Sequence, residues 1–266
     1  MARRPRVAIV GLGLVGGSLA RALTAAGYRV TGIDWPLVVR RALRTRAIAV
    51  GATRAEAAAA ADVVVLAAPP ATNLRLLRRL AKVARPGLVI TDVSSVKGEI
   101  VREAARLGLR GFVGGHPMAG TEQRGFAASS ASLFHGACWW IVPAREERAT
   151  RLVRALVRAT LARPITTDAA THDRAMAFLS HAPQVVAWAL LEAARGDAVA
   201  GRHLRRAGPG FRDMTRLARS PRPLWKDILE ANRVEVRRAL AAFVRRLDLP
   251  PVHPPRTRKK ERPCVT

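Results

Sequence analysis

Two stretches of this chain, and one helix face, carry residue types at spacings that can do chemistry. The first stretch is Gly11-Leu12-Gly13-Leu14-Val15-Gly16, followed by Gly17 and Ser18. A G-x-G-x-x-G run between an apolar strand and a helix suits a dinucleotide. The glycines permit a tight turn, close approach to a pyrophosphate and close helix–strand packing, while the helix start offers free N–H groups and a positive dipole. Asp34 closes the next apolar run, where a carboxylate accepts ribose hydroxyls and repels a 2′-phosphate. NAD is therefore expected over NADP, despite Arg40 and Arg41 nearby. A purely structural glycine turn is the alternative, and the strand–turn–helix context argues against it. The second stretch pairs Asp92-Val-Ser94-Ser95-Val-Lys97 with Gly115-His116-Pro-Met-Ala-Gly120-Thr-Glu122. Both follow apolar runs, at the strand ends where ligands sit in doubly wound sheets. Ser95 and His116 can share a hydrogen bond there and face one substrate atom. A histidine packed into a loop is the ordinary reading, and its place beside a cofactor loop outweighs it. Finally, His181, Gln184 and Trp188 repeat at i, i+3 and i+7, so one helix face can line a cleft.

These residues need elements to hold them. Apolar runs at residues 6–10, 29–33, 62–67, 88–92, 111–115 and 138–142 read as strands. Helical spacing separates them, for example at 17–26, 74–83 and 99–107. Strands alternating with helices predict an α/β chain with an N-terminal, Rossmann-type, doubly wound parallel sheet. Past Pro164 the strands stop. Residues 168–195 read as a long helical stretch broken only at Pro183, and 202–243 as further helix, so an all-helical C-terminal domain follows. The expected division is 1–166 for NAD, 167–249 for substrate and dimerisation, and 250–266 as a basic, disordered tail. The alanines at 57–61 read as a helix end before the third strand.

Charge is the least selective signal. The chain has 46 Lys+Arg against 19 Asp+Glu, a formal net charge of +27 over 266 residues. Only Lys82, Lys97, Lys226, Lys259 and Lys260 are lysines, and the arginines are spread along the chain instead of gathered in a stripe with exposed aromatics. Nucleic acid is therefore not the expected partner, and the charge is expected to draw anionic metabolites into clefts. No apolar run reaches the roughly 18 residues of a membrane span. No signal-peptide cleavage pattern follows the basic start, and two cysteines (Cys138 and Cys264) suit a reducing compartment, so a cytoplasmic protein is expected. No His/Cys cluster has metal-ligand spacing, and no metal is expected.

In order along the chain, the glycine loop, Asp92-x-x-Ser95-x-Lys97, His116-Pro-Met-Ala-Gly-Thr-Glu122, Thr171-His172-Asp173, Ser180-His181-Ala-Pro183, Gly210-Phe-Arg212-Asp213-Met-Thr-Arg216 and Trp225 resemble the prephenate/arogenate dehydrogenase family. The resemblance implies a Rossmann domain followed by a helical dimerisation domain, NAD as cofactor, and oxidative decarboxylation of a cyclohexadienol in tyrosine biosynthesis, by a homodimer without a metal. It implies roles as well. His116 would be the neutral base and Ser95 would orient it, while Arg216 would clamp a substrate carboxylate with its planar fork. His181, Gln184, Glu122 and Trp225 would line the substrate, with Ser94, Leu12, Leu14 and Val15 along the cofactor. Many members of the family have a histidine where Gln184 stands, and Gln cannot carry charge near neutral pH. That leaves prephenate and arogenate both open as substrates.

Blander readings accompany several of these positions. Solvated loop charges account equally for Lys97 and Glu122, a helix N-terminal turn capped by Asp168 or Thr171 for His172-Asp173, an ion pair for Arg212 and Asp213, and core packing for Trp188 and Trp225. Two functional alternatives stand beside the family. One is a two-domain hydroxyacid dehydrogenase, which needs a lysine base where the helical region offers only Lys226. The other is a catalytically silent NAD-binding regulator, in which Ser95, His116 and Arg216 would have no reason to occur together.

Overall fold

Valine- and isoleucine-rich runs build the sheet, because strands covered on both faces need apolar residues at every position. In the computed structural model, which describes residues 4–121, 123–220 and 222–247, eight strands form one sheet. They are β1 (Val7–Val10), β2 (Val30–Ile33), β3 (Val50–Ala52), β4 (Val63–Leu66), β5 (Val89–Asp92), β6 (Phe112–Pro117), β7 (Cys138–Val142) and β8 (Arg163–Thr166). Their order is β3-β2-β1-β4-β5-β6-β7-β8. Pairing is parallel from β3 across to β6. β7 then runs antiparallel to β6, and β8 parallel to β7. The doubly wound sheet is as expected, with this one antiparallel step added. Six strands are legible in the sequence pattern. The other two, β3 and β8, are the outermost strands, where a three-residue strand with Gly51 or one holding Arg163 and Pro164 needs no continuous apolar run.

The connecting helices are α1 (Leu14–Ala25), α2 (Pro36–Arg44), α3 (Pro70–Ala81), α4 (Gly98–Arg106) and α5 (Glu147–Ala159). On β1, Val7 and Ile9 enter a core with Leu19 and Leu23 of α1 and Val153 of α5. Ala8 and Val10 enter the opposite core with Leu77 of α3 and Ile100 of α4. The period-two alternation of a strand thus feeds both layers. α1 and α3 begin three or four residues before the apolar spacing suggests, since the end of the glycine loop is already helical and Pro70 suits a first helical turn. The alanine run is a 3₁₀ turn over Ala55–Ala60.

After β8 come α6 (Ala169–Met176), α7 (Ala182–Gly196), α8 (Ala200–His203), α9 (Pro209–Thr215), α10 (Arg222–Ala231) and α11 (Arg233–Val244). Asp168 caps α6, its Oδ1 accepting Thr171 N–H at 2.9 Å. A π-helical turn, Ala177–His181, joins α6 to α7. Pro183 has no N–H to give, so the hydrogen-bond ladder widens just before it instead of breaking there. The core of this region is small, built from Ala177, Ala182, Val236 and Ala239. No described helix is long and apolar enough to cross a membrane. Glu122 and residues 250–266, expected as a tail, lie outside the described residues.

Candidate active site

The order of the strands reverses between β1 and β4, and a cleft of about 910 Å³ opens beyond their carboxyl ends, lined by Gly11, Gly13, Asp34, Trp35, Arg54 and Thr72 among others. A Cβ on Gly16 would lie 1.9 Å from Gly11 O, so only glycine lets α1 start this close to the loop. Among the described residues no side chain caps α1, which leaves first-turn N–H groups for a phosphate. Asp34 is tied to the loop, one carboxylate oxygen accepting Leu12 N–H and the other Trp35 N–H, each at 2.6 Å. Each oxygen keeps a further lone pair for a ribose hydroxyl. The cleft therefore fits NAD. Leu12 is fully buried and reaches the site through its backbone. Ser94 is also buried, and its Oγ accepts from Asn73, whose Oδ1 accepts Ala68 N–H. It braces the cleft wall from behind.

Next to this cleft, a buried polar network joins the ends of β5 and β6 to α6. His116, on β6, is buried, and its Nδ1 lies 2.9 Å from Nε2 of His172. His172 Nδ1 lies 2.8 Å from Asp173 Oδ1, and Asp173 also accepts the N–H groups of Lys97 and Gly98 at 2.7 Å. Lys97 is wholly buried, ion-paired with Asp92, and donates to Gly115 O at 2.7 Å. A Cβ on Gly115 would sit 2.4 Å from Asp92 O, so glycine is needed immediately before His116. Burial, then the neighbouring His172, Lys97 and His181, push His116 well below the ordinary histidine value. Burial likewise lowers Lys97 against the opposing pull of Asp92.

Three readings change here. Lys97 is a buried ion-pair partner and not a solvated charge. His172, read together with Asp173 as a helix turn, stands against the site histidine with Asp173 behind it, while Asp168 caps the helix. Ser95 is half-buried at the end of β5, and among the described residues no hydrogen bond joins it to His116. A histidine followed by an aspartate one turn into the helix after the last strand is the only local signal of this contact. The partner itself is 56 residues away from His116 in sequence, beyond any local pattern.

On the helical side, His181 and Gln184 are buried while Trp188 and Trp225 are half-buried. His181 Nδ1 accepts from Asn232 Nδ2 at 3.1 Å, and burial lowers its pKa to about 4. Its Nε2 and Gln184 Oε1 are buried with no partner among the described residues. That leaves one donor and one acceptor open, a turn apart. Gln184 Nε2 and Trp188 Nε1 donate to Leu217 O (2.7 Å) and Ala218 O (3.2 Å), holding the turn headed by Arg216. Trp225 packs edge-on against both His181 and Trp188. Arg216 is exposed and lines an apolar groove of about 750 Å³ with Phe178, Pro183 and Phe243. Arg212 and Asp213 are both exposed, and no ion pair joins them among the described residues.

A dinucleotide cleft at the switch point, with a buried neutral histidine beside it under a helical cover, defines an NAD-dependent dehydrogenase. The family model described as prephenate dehydrogenase, nucleotide-binding domain, matches residues 19–165, and the prephenate dehydrogenase dimerization domain matches residues 168–249. The chain belongs to the prephenate dehydrogenase family, whose members carry out NAD-dependent oxidative decarboxylation in tyrosine biosynthesis. It is 32% identical to a prephenate dehydrogenase of Lactococcus lactis subsp. cremoris, over 91% of this chain and 69% of that protein. The crystal structure of A. aeolicus prephenate dehydrogenase with hydroxyphenyl propionate and NAD+ superposes with a TM-score of 0.86 at 29% identity, covering 93% of this chain and 89% of that one. Synechocystis arogenate dehydrogenase gives 0.82 at 27%, covering 91% and 89%.

Proposed function

We propose that this chain oxidises and decarboxylates prephenate, or its amino counterpart arogenate, with His116 as the base. The observation that carries this reading is a buried imidazole, kept neutral by its surroundings, at a strand end beside the NAD cleft. NAD, when bound, takes the hydride from the substrate's C4. His116 accepts the proton of the 4-hydroxyl as the hydride leaves, and departure of the ring carboxylate as CO2 aromatises the ring to a phenolate, which takes that proton back. Ser95, half-buried just past β5, binds that hydroxyl, and among the described residues it makes no direct bond to His116. Arg216 pairs with a substrate carboxylate, and Trp225 packs beside the ring. His181 Nε2–H and Gln184 Oε1, the open donor and acceptor, meet the polar side chain of the substrate. The contact proposed for Glu122 rests on the sequence motif. Gly11 to Gly16, Asp34 and, through the cleft wall, Ser94 hold the cofactor.

In this reading residues 1–166 serve NAD and 167–249 serve substrate and dimerisation. The exposed apolar side chains Phe178, Leu179, Met214, Phe243 and Val244 support a homodimer through the helical half, and the place of work is the cytoplasm. Lys226, the base that a hydroxyacid dehydrogenase would need, is exposed on α10.

NADH formation from NAD, with prephenate and arogenate supplied in parallel, tests the reading. Turnover is expected on at least one, and His116→Asn should cut kcat by about 10³ while NAD still binds. Turnover on neither, with NAD bound, would reject the assignment. Because His116 is held well below 6.5, it stays neutral through mildly acidic pH. Activity should therefore persist as the pH falls past that value, whereas an acid limb at an ordinary histidine pKa would contradict the burial argument.

A further inference from the structure

We infer that His172 and Asp173 are positioning residues that hold His116 in the one tautomer able to act as base, with hydrogen on Nδ1 and the lone pair on Nε2. The inference rests on the role proposed above for His116. It follows from which partner in each hydrogen bond can donate. Asp173 faces two backbone donors that cannot reverse, Lys97 N–H on Oδ1 and Gly98 N–H on Oδ2, both at 2.7 Å. Burial raises the Asp173 carboxyl, but His172 and these N–H groups together hold it below its ordinary value. Asp173 is thus an acceptor toward His172 as well, and His172 Nδ1, 2.8 Å from Oδ1, carries a hydrogen. Where the His172 ring is neutral, hydrogen on Nδ1 leaves its lone pair on Nε2. Facing that lone pair at 2.9 Å is His116 Nδ1, which must then donate. The acceptor left on the His116 ring is Nε2.

The surroundings favour this direction. His172 is fully buried, and His116 and Asp173 are each 8% exposed, so little water competes for these bonds. Trp140, paired opposite His116 in the β6–β7 register, packs edge-on against the His172 ring and fixes its plane. Among the described residues, the charged or titratable groups that act on His116 are His172, Lys97 and His181. Once His116 has taken the substrate proton, the resulting imidazolium keeps its Nδ1–H bond to His172. The Asp173 carboxylate then balances the charge through the intervening ring. An aspartate orients a catalytic histidine in the same way in hydrolase triads, where loss of the correct tautomer is costly. Here a second imidazole stands between carboxylate and base.

Histidine-selective 15N labelling of the full chain, read by long-range 1H–15N correlations near neutral pH, reports the tautomer directly. Hydrogen on Nδ1 of His116 is expected, and hydrogen on Nε2 would overturn the inference whatever the variants do. His172→Leu removes the acceptor and should lower kcat by about 10² or more, with KM for NAD unchanged. His172→Gln, whose Oε1 can accept from His116 Nδ1, should recover activity to within about tenfold of the parent. If His172→Leu retains kcat within about threefold while His116→Asn is inactive, the base assignment survives and the positioning role fails. If His116→Asn is itself active, the underlying reading fails instead. Should His172→Leu not fold, the tautomer measured on the unaltered protein decides alone.

Discussion

The sheet half and the helical half of this molecule are stabilised differently. Around the sheet, two extensive cores sandwich nearly continuous apolar strands, and even its buried charges, Lys97 and Asp92, are paired. In the helical half the core reduces to a few alanines and Val236, and large apolar side chains face outward, Leu179 at 69% and Val244 at 60% exposure. A parallel sheet must be covered on both faces to exist at all. A helix bundle of this size can instead leave a stripe uncovered and bury it against another chain. The contrast is one of packing: the cofactor half buries its apolar side chains within itself, while the helical half leaves several of its own exposed.

The largest test of that contrast falls at the seam. Lys97→Met leaves Asp92 buried without its cation and loosens the backbone that binds Asp173. It should destabilise the chain by about 3–5 kcal/mol in urea unfolding. A near-neutral result would mean that the pair is dispensable and the sheet half less self-sufficient than its packing implies. Acid should expose the weakness of the helical half next. The pKa of His181 is lowered to about 4 in the fold, against about 6.5 when unfolded. As the pH drops through that window, the unfolded chain takes the proton first, so stability falls by up to about 3 kcal/mol and levels off below. A urea midpoint unchanged between neutral pH and about pH 4 would show that His181 is not buried as described.

The third test concerns the outward face. Phe243→Glu should remove about 2 kcal/mol of apolar burial per protomer and shift the solution mass from two chains toward one. Leu161→Asp, at an exposed apolar position before β8, should leave the mass unchanged. A protein already at one chain before mutation would remove the proposed dimer. The smallest effect sharpens the boundary between the halves. Asp168→Ala deletes the cap of α6 and should cost about 1 kcal/mol in thermal unfolding. Because α6 carries His172, a loss of kcat beyond that expected from stability alone would tie the cap to the site.

Much of this was legible in local sequence, for a physical reason. The glycine loop, Asp34, the Asp168 cap and six strands depend on neighbours a few residues away, and a linear pattern records those. The outer strands β3 and β8 were not legible, because edge pairing is dictated by the strand beside them and not by their own composition. Gln184 was visible as a departure from the family's histidine. Its bond to Leu217 O, which leaves Oε1 open, was not.

By itself, then, the sequence determined a dinucleotide loop on a doubly wound sheet, a histidine at a strand end beside it, and a helical region to follow. Only the tertiary structure decided that Nδ1 of this histidine meets His172, that Lys97 is buried, and that the backbone of Lys97 and Gly98 holds the carboxylate of Asp173. The contacts of His172 with His116 and of Asp173 with Lys97 and Gly98 join residues 56 to 76 apart. Hydrogen-bond direction and charge burial depend on what the folded chain brings within 3 Å, and no spacing along the sequence encodes that distance.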